Sequence, residues 1–95
     1  MIKAVFYLRK KAVIGYEISG HAQFAAKGSD IVCAAVSVLS ESVTNELSNA
    51  VVSDQKGLKV SLIPPILANK VLCKLLFDSL KQISDEYPKN LRVVS

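Results

Sequence analysis

Histidine and cysteine are nearly missing from this chain: one His, two Cys and no Trp among 95 residues. A closed structural zinc site takes about four Cys and His ligands, so no metal is expected, and no cofactor either. Long apolar runs are missing too. The longest uncharged stretches, Ile31–Ser40 and Val60–Asn69, hold ten residues each, against the ~20 that a membrane helix needs. No membrane contact is expected. The opening MIKAVFYLRKK places its charges after its apolar residues and lacks a small-residue cleavage site, the wrong order for a secretory signal. A cytoplasmic setting with two free thiols is therefore expected. There is no internal repeat or low-complexity segment.

What is there suits one domain, residues 1–95. The apolar fraction, 51%, is slightly generous for such a chain, and a homodimer is the simplest symmetric way to cover the surplus. Twelve basic and eight acidic residues give a net charge of +4. The basic residues are scattered, and only Arg9, Lys10 and Lys11 cluster, where a turn is expected. A solvated turn and a contact with RNA both remain open for that cluster.

Residues 2–9 alternate Ile2, Ala4, Phe6 and Leu8 with Lys3, Val5, Tyr7 and Arg9, and residues 12–19 repeat the period of two, which predicts a strand hairpin. No Asn-Gly marks its turn type. Ala22–Ser29 reads as a loop with Gly28 as its flexible point. From Asp30 to about Val52, Val32, Val36, Leu39, Val43, Leu47 and Ala50 recur at helical spacing, with Asp30 as N-cap. Ser53–Gly57 is a polar stop. Leu58, Val60 and Leu62 alternate before Pro64-Pro65, giving a third strand. A second helix spans about Ile66 to Glu86, with Leu72, Leu75, Leu76, Leu80 and Ile83 inward, and Leu91–Val94 is a last strand. The order ββαβαβ predicts an α+β two-layer sandwich: an antiparallel-rich four-stranded sheet with both helices on one face.

The chemistry concentrates between Gly20 and Ser37. Cys33, if it lies in the first turn of the helix, has its sulfur near free backbone amides and the positive end of the macrodipole, which stabilise an anion. It also leaves the apolar stripe and shares a small, polar face with Ser37, Ser40 and Thr44. An incidental buried thiol is the competing reading. His21 is the one imidazole available as general base for a cysteine nucleophile, or else a surface histidine. Its neighbours Gly20 and Ala22 leave room for a substrate backbone. Asp30 either caps the helix or orients His21. Ser37 either supports the thiol or bonds back to the preceding turn. Cys73, inside the second helix, reads as a small core residue.

Gly20-His21-Ala22, Gly28-x-Asp30-Ile31-Val32-Cys33-Ala34 and Ser37, at this spacing, resemble the ribosomal-processing cysteine protease family of bacteria. Ser79-Leu80-x-x-Ile83-x-x-x-Tyr87 is a weaker echo. The resemblance implies an α+β sandwich that dimerises and a thiol endopeptidase that removes a short N-terminal extension from a large-subunit ribosomal protein. It implies Cys33 as nucleophile and His21 as base, with Asp30 and Ser37 on the family's other polar positions and Ala22–Ser29 closing over substrate. The chain departs from that pattern at Ala35, where a glycine is usual, followed by bulky Val36. Its positive charge is not part of what the resemblance implies.

Overall fold

The computed structural model describes residues 1–20, 29–54 and 56–95, with backbone alone at 29 and 30. Strands β1 (Ile2–Arg9) and β2 (Ala12–Ser19) pair antiparallel. Arg9 faces Ala12 across their turn. The connection is thus two residues, and Lys10 and Lys11 both carry positive φ, 51° and 66°. That is the backbone of the hairpin turn that favours Asn-Gly, here built from two lysines. Tyr7 faces Gly15 and Leu8 faces Val13, so Ile14 is an extra residue, a bulge that bends the hairpin near its tip.

Helix α1 (Ser29–Glu46) follows, then β3 (Val51–Ser53), β4 (Leu58–Ser61), helix α2 (Leu67–Glu86) and β5 (Leu91–Val94). The sheet order is β3-β4-β2-β1-β5. All pairings are antiparallel except β1 with β5, which is parallel. Period-two alternation puts Ile2, Ala4 and Phe6 of β1 on one face, joined by Tyr16 and Ile18 of β2 and Val60 of β4. Phe6 and Tyr16 are cross-strand partners. Phe6 packs edge-on against Phe77 of α2 at 5.1 Å, while the Tyr16 hydroxyl lies 2.6 Å from Thr44 Oγ1 on α1. Both helices therefore cover the same face of the sheet. Val32, Val36 and Val43 from α1 and Cys73, Leu76 and Leu80 from α2 complete one core cluster. Among the described residues, no helix is long and apolar enough to cross a membrane.

The α+β class and the two helices on one face agree with the sequence reading; the sheet does not. It has five strands and is mixed, and the element order is ββαββαβ. Strand β3 lies where the first helix was expected to run on to Val52. Leu47 and Ala50 continue the helical spacing, but α1 stops at Glu46, and Asn49 turns to positive φ, 59°. The stop is tertiary. Buried Asn69 of α2 accepts a hydrogen bond from the Ser48 amide (3.0 Å) and donates to the Ser48 carbonyl (3.1 Å) and the Pro64 carbonyl (3.0 Å). Smaller differences follow the same logic. The third predicted strand ends at Ser61, because Leu62 has φ of 52° and is 75% exposed, and the Ile63 amide donates to the Ile14 carbonyl instead. Leu75 is exposed rather than inward, and Asn69, Cys73 and Ser84 hold buried places on α2.

Burial of two weak acids couples folding to alkaline pH. Burial pushes the Tyr16 hydroxyl up to about 12. Burial alone pushes the Cys73 thiol up to about 11. Unfolded chains lose these protons near pH ~8.5 (Cys) and ~10 (Tyr). The folded state therefore binds the protons more tightly, and this contribution to stability is complete below both unfolded values. It is lost as pH rises through about 11 for Cys73 and about 12 for Tyr16. Urea melts should show stability falling by a few kcal/mol between pH ~9 and ~12. Cys73→Ala should remove the lower part of that fall.

Candidate active site

The polar stripe of α1 faces a groove. Cys33, Ser37, Ser40, Glu41 and Thr44 form one wall, and the sheet side supplies Ile2, Ile18, Gly20, Val52, Asp54 and Leu58 around a cavity of about 560 Å³. At ~1.5 Å per helical residue, the stripe from Cys33 to Thr44 runs for about 16 Å. That spans about five residues of an extended chain. The predicted polar face of Cys33, Ser37, Ser40 and Thr44 is thus a groove wall of peptide length.

Helix α1 opens at Ser29, one residue earlier than expected, so Ser29 is helical and Asp30 lies inside the first turn rather than at its cap. Cys33 is then the fifth helical residue. The unpaired amides of the helix start belong to the residues before it, so the amide of Cys33 itself lies beyond that unpaired set. Cys33 is a free thiol of intermediate exposure, partly buried against the core yet open to the groove. Cys73 is also free but buried, 1% exposed, as its position inside the second helix predicts.

The hydroxyls along the wall are not equivalent. Ser40 donates to the Val36 carbonyl (2.7 Å) and Thr44 to the Ser40 carbonyl (2.6 Å). With its proton committed, Thr44 can only accept from Tyr16, whose buried hydroxyl is thereby satisfied. The Ser37 hydroxyl, one turn from Cys33 and exposed, makes no hydrogen bond among the described residues and remains available to a ligand. Glu41 extends the same face by another turn. Together with Asp54 it makes the groove acidic, and no Lys or Arg lines it among the described residues. Sequence reading did not single out Glu41 or Asp54. Glu41 was findable from its spacing of eight from Cys33, whereas Asp54 arrives through the strand that was not predicted.

Gly20 closes the sheet side of the groove with φ of 92°, and a Cβ there would collide with the Met1 carbonyl oxygen. Only glycine meets both conditions at the end of β2. His21, Ala22 and Gly28 lie outside the described residues, as does the expected loop up to residue 28.

A free thiol half-buried in a groove of peptide length is an arrangement that suits a thiol peptidase. Residues 1–92 match the family model for cysteine protease Prp, and the chain belongs to that family. Among solved structures it is similar to SMU.848 from Streptococcus mutans, with 28% identity, a TM-score of 0.81, and 99% of this chain and 92% of that one covered. It shares its fold with the essential ribosomal processing protease Prp from S. aureus. In complex with a covalently linked product peptide, that protein aligns at 21% identity and a TM-score of 0.82, covering 99% and 98% of the two chains. In complex with a substrate peptide the values are 21%, 0.78, 98% and 97%. A search among curated proteins gives no significant match.

Proposed function

We propose that this cysteine protease removes a short N-terminal extension from a large-subunit ribosomal protein in the cytoplasm, with Cys33 as nucleophile and His21 as base. The observation that carries this reading is the free thiol of Cys33 in the wall of a groove that fits about five extended residues. The Cys33 thiolate attacks the scissile carbonyl, and the amides at the start of α1 hold the oxyanion. His21 donates a proton to the leaving amine, which departs as the mature N-terminus and leaves a thioester. His21 then takes a proton from water, the hydroxide attacks the thioester, and the extension leaves as a carboxylic acid with the thiolate restored. Asp30 orients His21, and Ser37 offers its free hydroxyl to the reacting end of the substrate. Gly20 and Ala22, small and next to His21 in sequence, and Gly28 are assigned to the substrate loop in this proposal.

The same reading includes a homodimer. Leu67, Val71 and Leu75 lie one turn apart on α2 and are 77%, 59% and 53% exposed, an apolar stripe of the kind a second copy covers.

Incubation with a ribosomal protein carrying its N-terminal extension, read by mass spectrometry, tests the proposal. Release of a single defined N-terminal peptide is expected. A substrate left intact after prolonged incubation contradicts it.

A further inference from the structure

A second cavity, about 460 Å³, opens where the β1–β2 turn meets α2 and the end of β5. Strand β1 separates it from the catalytic groove: Ile2 lines the groove and Leu8 lines this cavity, about 20 Å away along the strand at ~3.3 Å per residue. Its floor is apolar, with Leu8, Val13 and Phe77. Its rim is cationic, with Lys10 and Lys11 on the turn and Lys70 and Lys74 on α2. Asp78 is held by Lys74 at 2.6 Å, and Ser95, the last residue of the sequence, also lines the space. Even with a carboxylate counted at Ser95, the four lysines outnumber the acids two to one.

Two features set this cavity apart from scattered surface charge. Lys10 and Lys11 both sit in the left-handed region, where a side chain is disfavoured and Asn-Gly would be the less strained pair. Backbone strain of this kind clusters at functional sites, and the two side chains carried here are both cationic and line the cavity. Lys70 and Lys74, one helical turn apart, stand about 6 Å from each other along α2 on the second side of the floor. Two rows of ammonium groups flanking an apolar trough fit a polymer with evenly spaced anions and flat apolar units between them. An isolated small anion would not use the trough.

We propose that this cleft binds single-stranded RNA, with the lysines on successive phosphates and the bases over Leu8, Val13 and Phe77. Lysine supplies point charges rather than a bidentate fork, so the contact reads backbone and not sequence. The position leaves the Cys33 groove open, so RNA tethering and peptide cleavage occupy opposite ends of the sheet.

Anisotropy of a fluorescein-labelled mixed-sequence RNA of about twenty nucleotides, titrated with the intact protein across a salt series, tests the site. Replacing the turn with Lys10→Asn and Lys11→Gly removes two charges and installs the favoured turn residues. This variant should therefore melt a few degrees higher while binding RNA about tenfold more weakly at low salt, its log–log salt slope reduced by about 1.4. Lys70→Gln should weaken binding on its own. Lys81→Gln with Lys89→Gln, exposed lysines outside the cavity that remove the same net charge, should leave the affinity within about threefold of wild type. Equal weakening by the control pair, no binding by wild type, or displacement by polyglutamate as effective as by unlabelled RNA would each overturn the assignment.

Discussion

Replacing Cys33 by alanine should lower kcat/KM for the extended substrate by about 10⁴-fold, roughly 5 kcal/mol of transition-state stabilisation. On the proposed mechanism, loss of the nucleophile removes the covalent route and leaves only the contribution of binding and of the amides assigned to the oxyanion. The fold should hardly notice. Cys33 is only partly buried and its thiol makes no hydrogen bond among the described residues, so the melting temperature should shift by no more than a few degrees. Cys33→Ser is the sharper version, because it preserves size and polarity but not the ionisable thiol, and it should be nearly as inactive. Cys73→Ala should behave the opposite way, keeping activity and losing stability, since Cys73 is 1% exposed and packed in the core. A Cys33→Ala protein that keeps more than about a tenth of wild-type kcat/KM is incompatible with the thiol as nucleophile.

The largest effect on stability is expected at Asn69. Its side chain is 1% exposed and makes three hydrogen bonds, two with Ser48 and one with Pro64. Asn69→Ala leaves the Ser48 amide and two carbonyls without that partner and opens a small cavity, for a total near 3 kcal/mol. For a domain of this size that corresponds to a fall in melting temperature of about 12–24 °C. Asn69→Asp should be at least as damaging, because it keeps the acceptor, loses both donated bonds and buries a charge. Thermal unfolding followed by circular dichroism measures both. The groove should suffer with the fold: Asn69 fixes the end of α1 and the entry to β3, and β3 leads to Asp54 in the groove wall.

Asn69 also explains where sequence reading ran out. Local periodicity was enough for β1, β2, both helices and the polar stripe from Cys33 to Thr44, because each of those patterns is short-range and repeats the geometry of a single element. The end of α1 is not local. Leu47 and Ala50 continue the helical spacing, and only a side chain from α2, brought in by the fold, diverts the chain into β3. The pairing of β5 with β1 is likewise a matter of topology: Leu91–Val94 reads the same whether it runs parallel or antiparallel. At the site, the residue types and spacing that single out Cys33 and Ser37 were readable because they interrupt an apolar stripe. Glu41 shares that helical spacing, but the lining by Asp54 was not readable, since it depends on the edge of the sheet that β3 completes. The turn type was hidden for a different reason. Lys10-Lys11 adopts the conformation that Asn-Gly signals, without the residues that signal it.

The most direct test of the account is to alkylate the native protein with limiting iodoacetamide near neutral pH. The modified residue is mapped by peptide mass spectrometry while the same sample is assayed on the extended ribosomal protein. Cys33, open to the groove, should take the label while Cys73, buried with its thiol held up to about 11, stays free. Release of the N-terminal peptide should decline in proportion to Cys33 modification. Complete modification of Cys33 with processing intact would contradict the central claim that this thiol cuts the peptide bond.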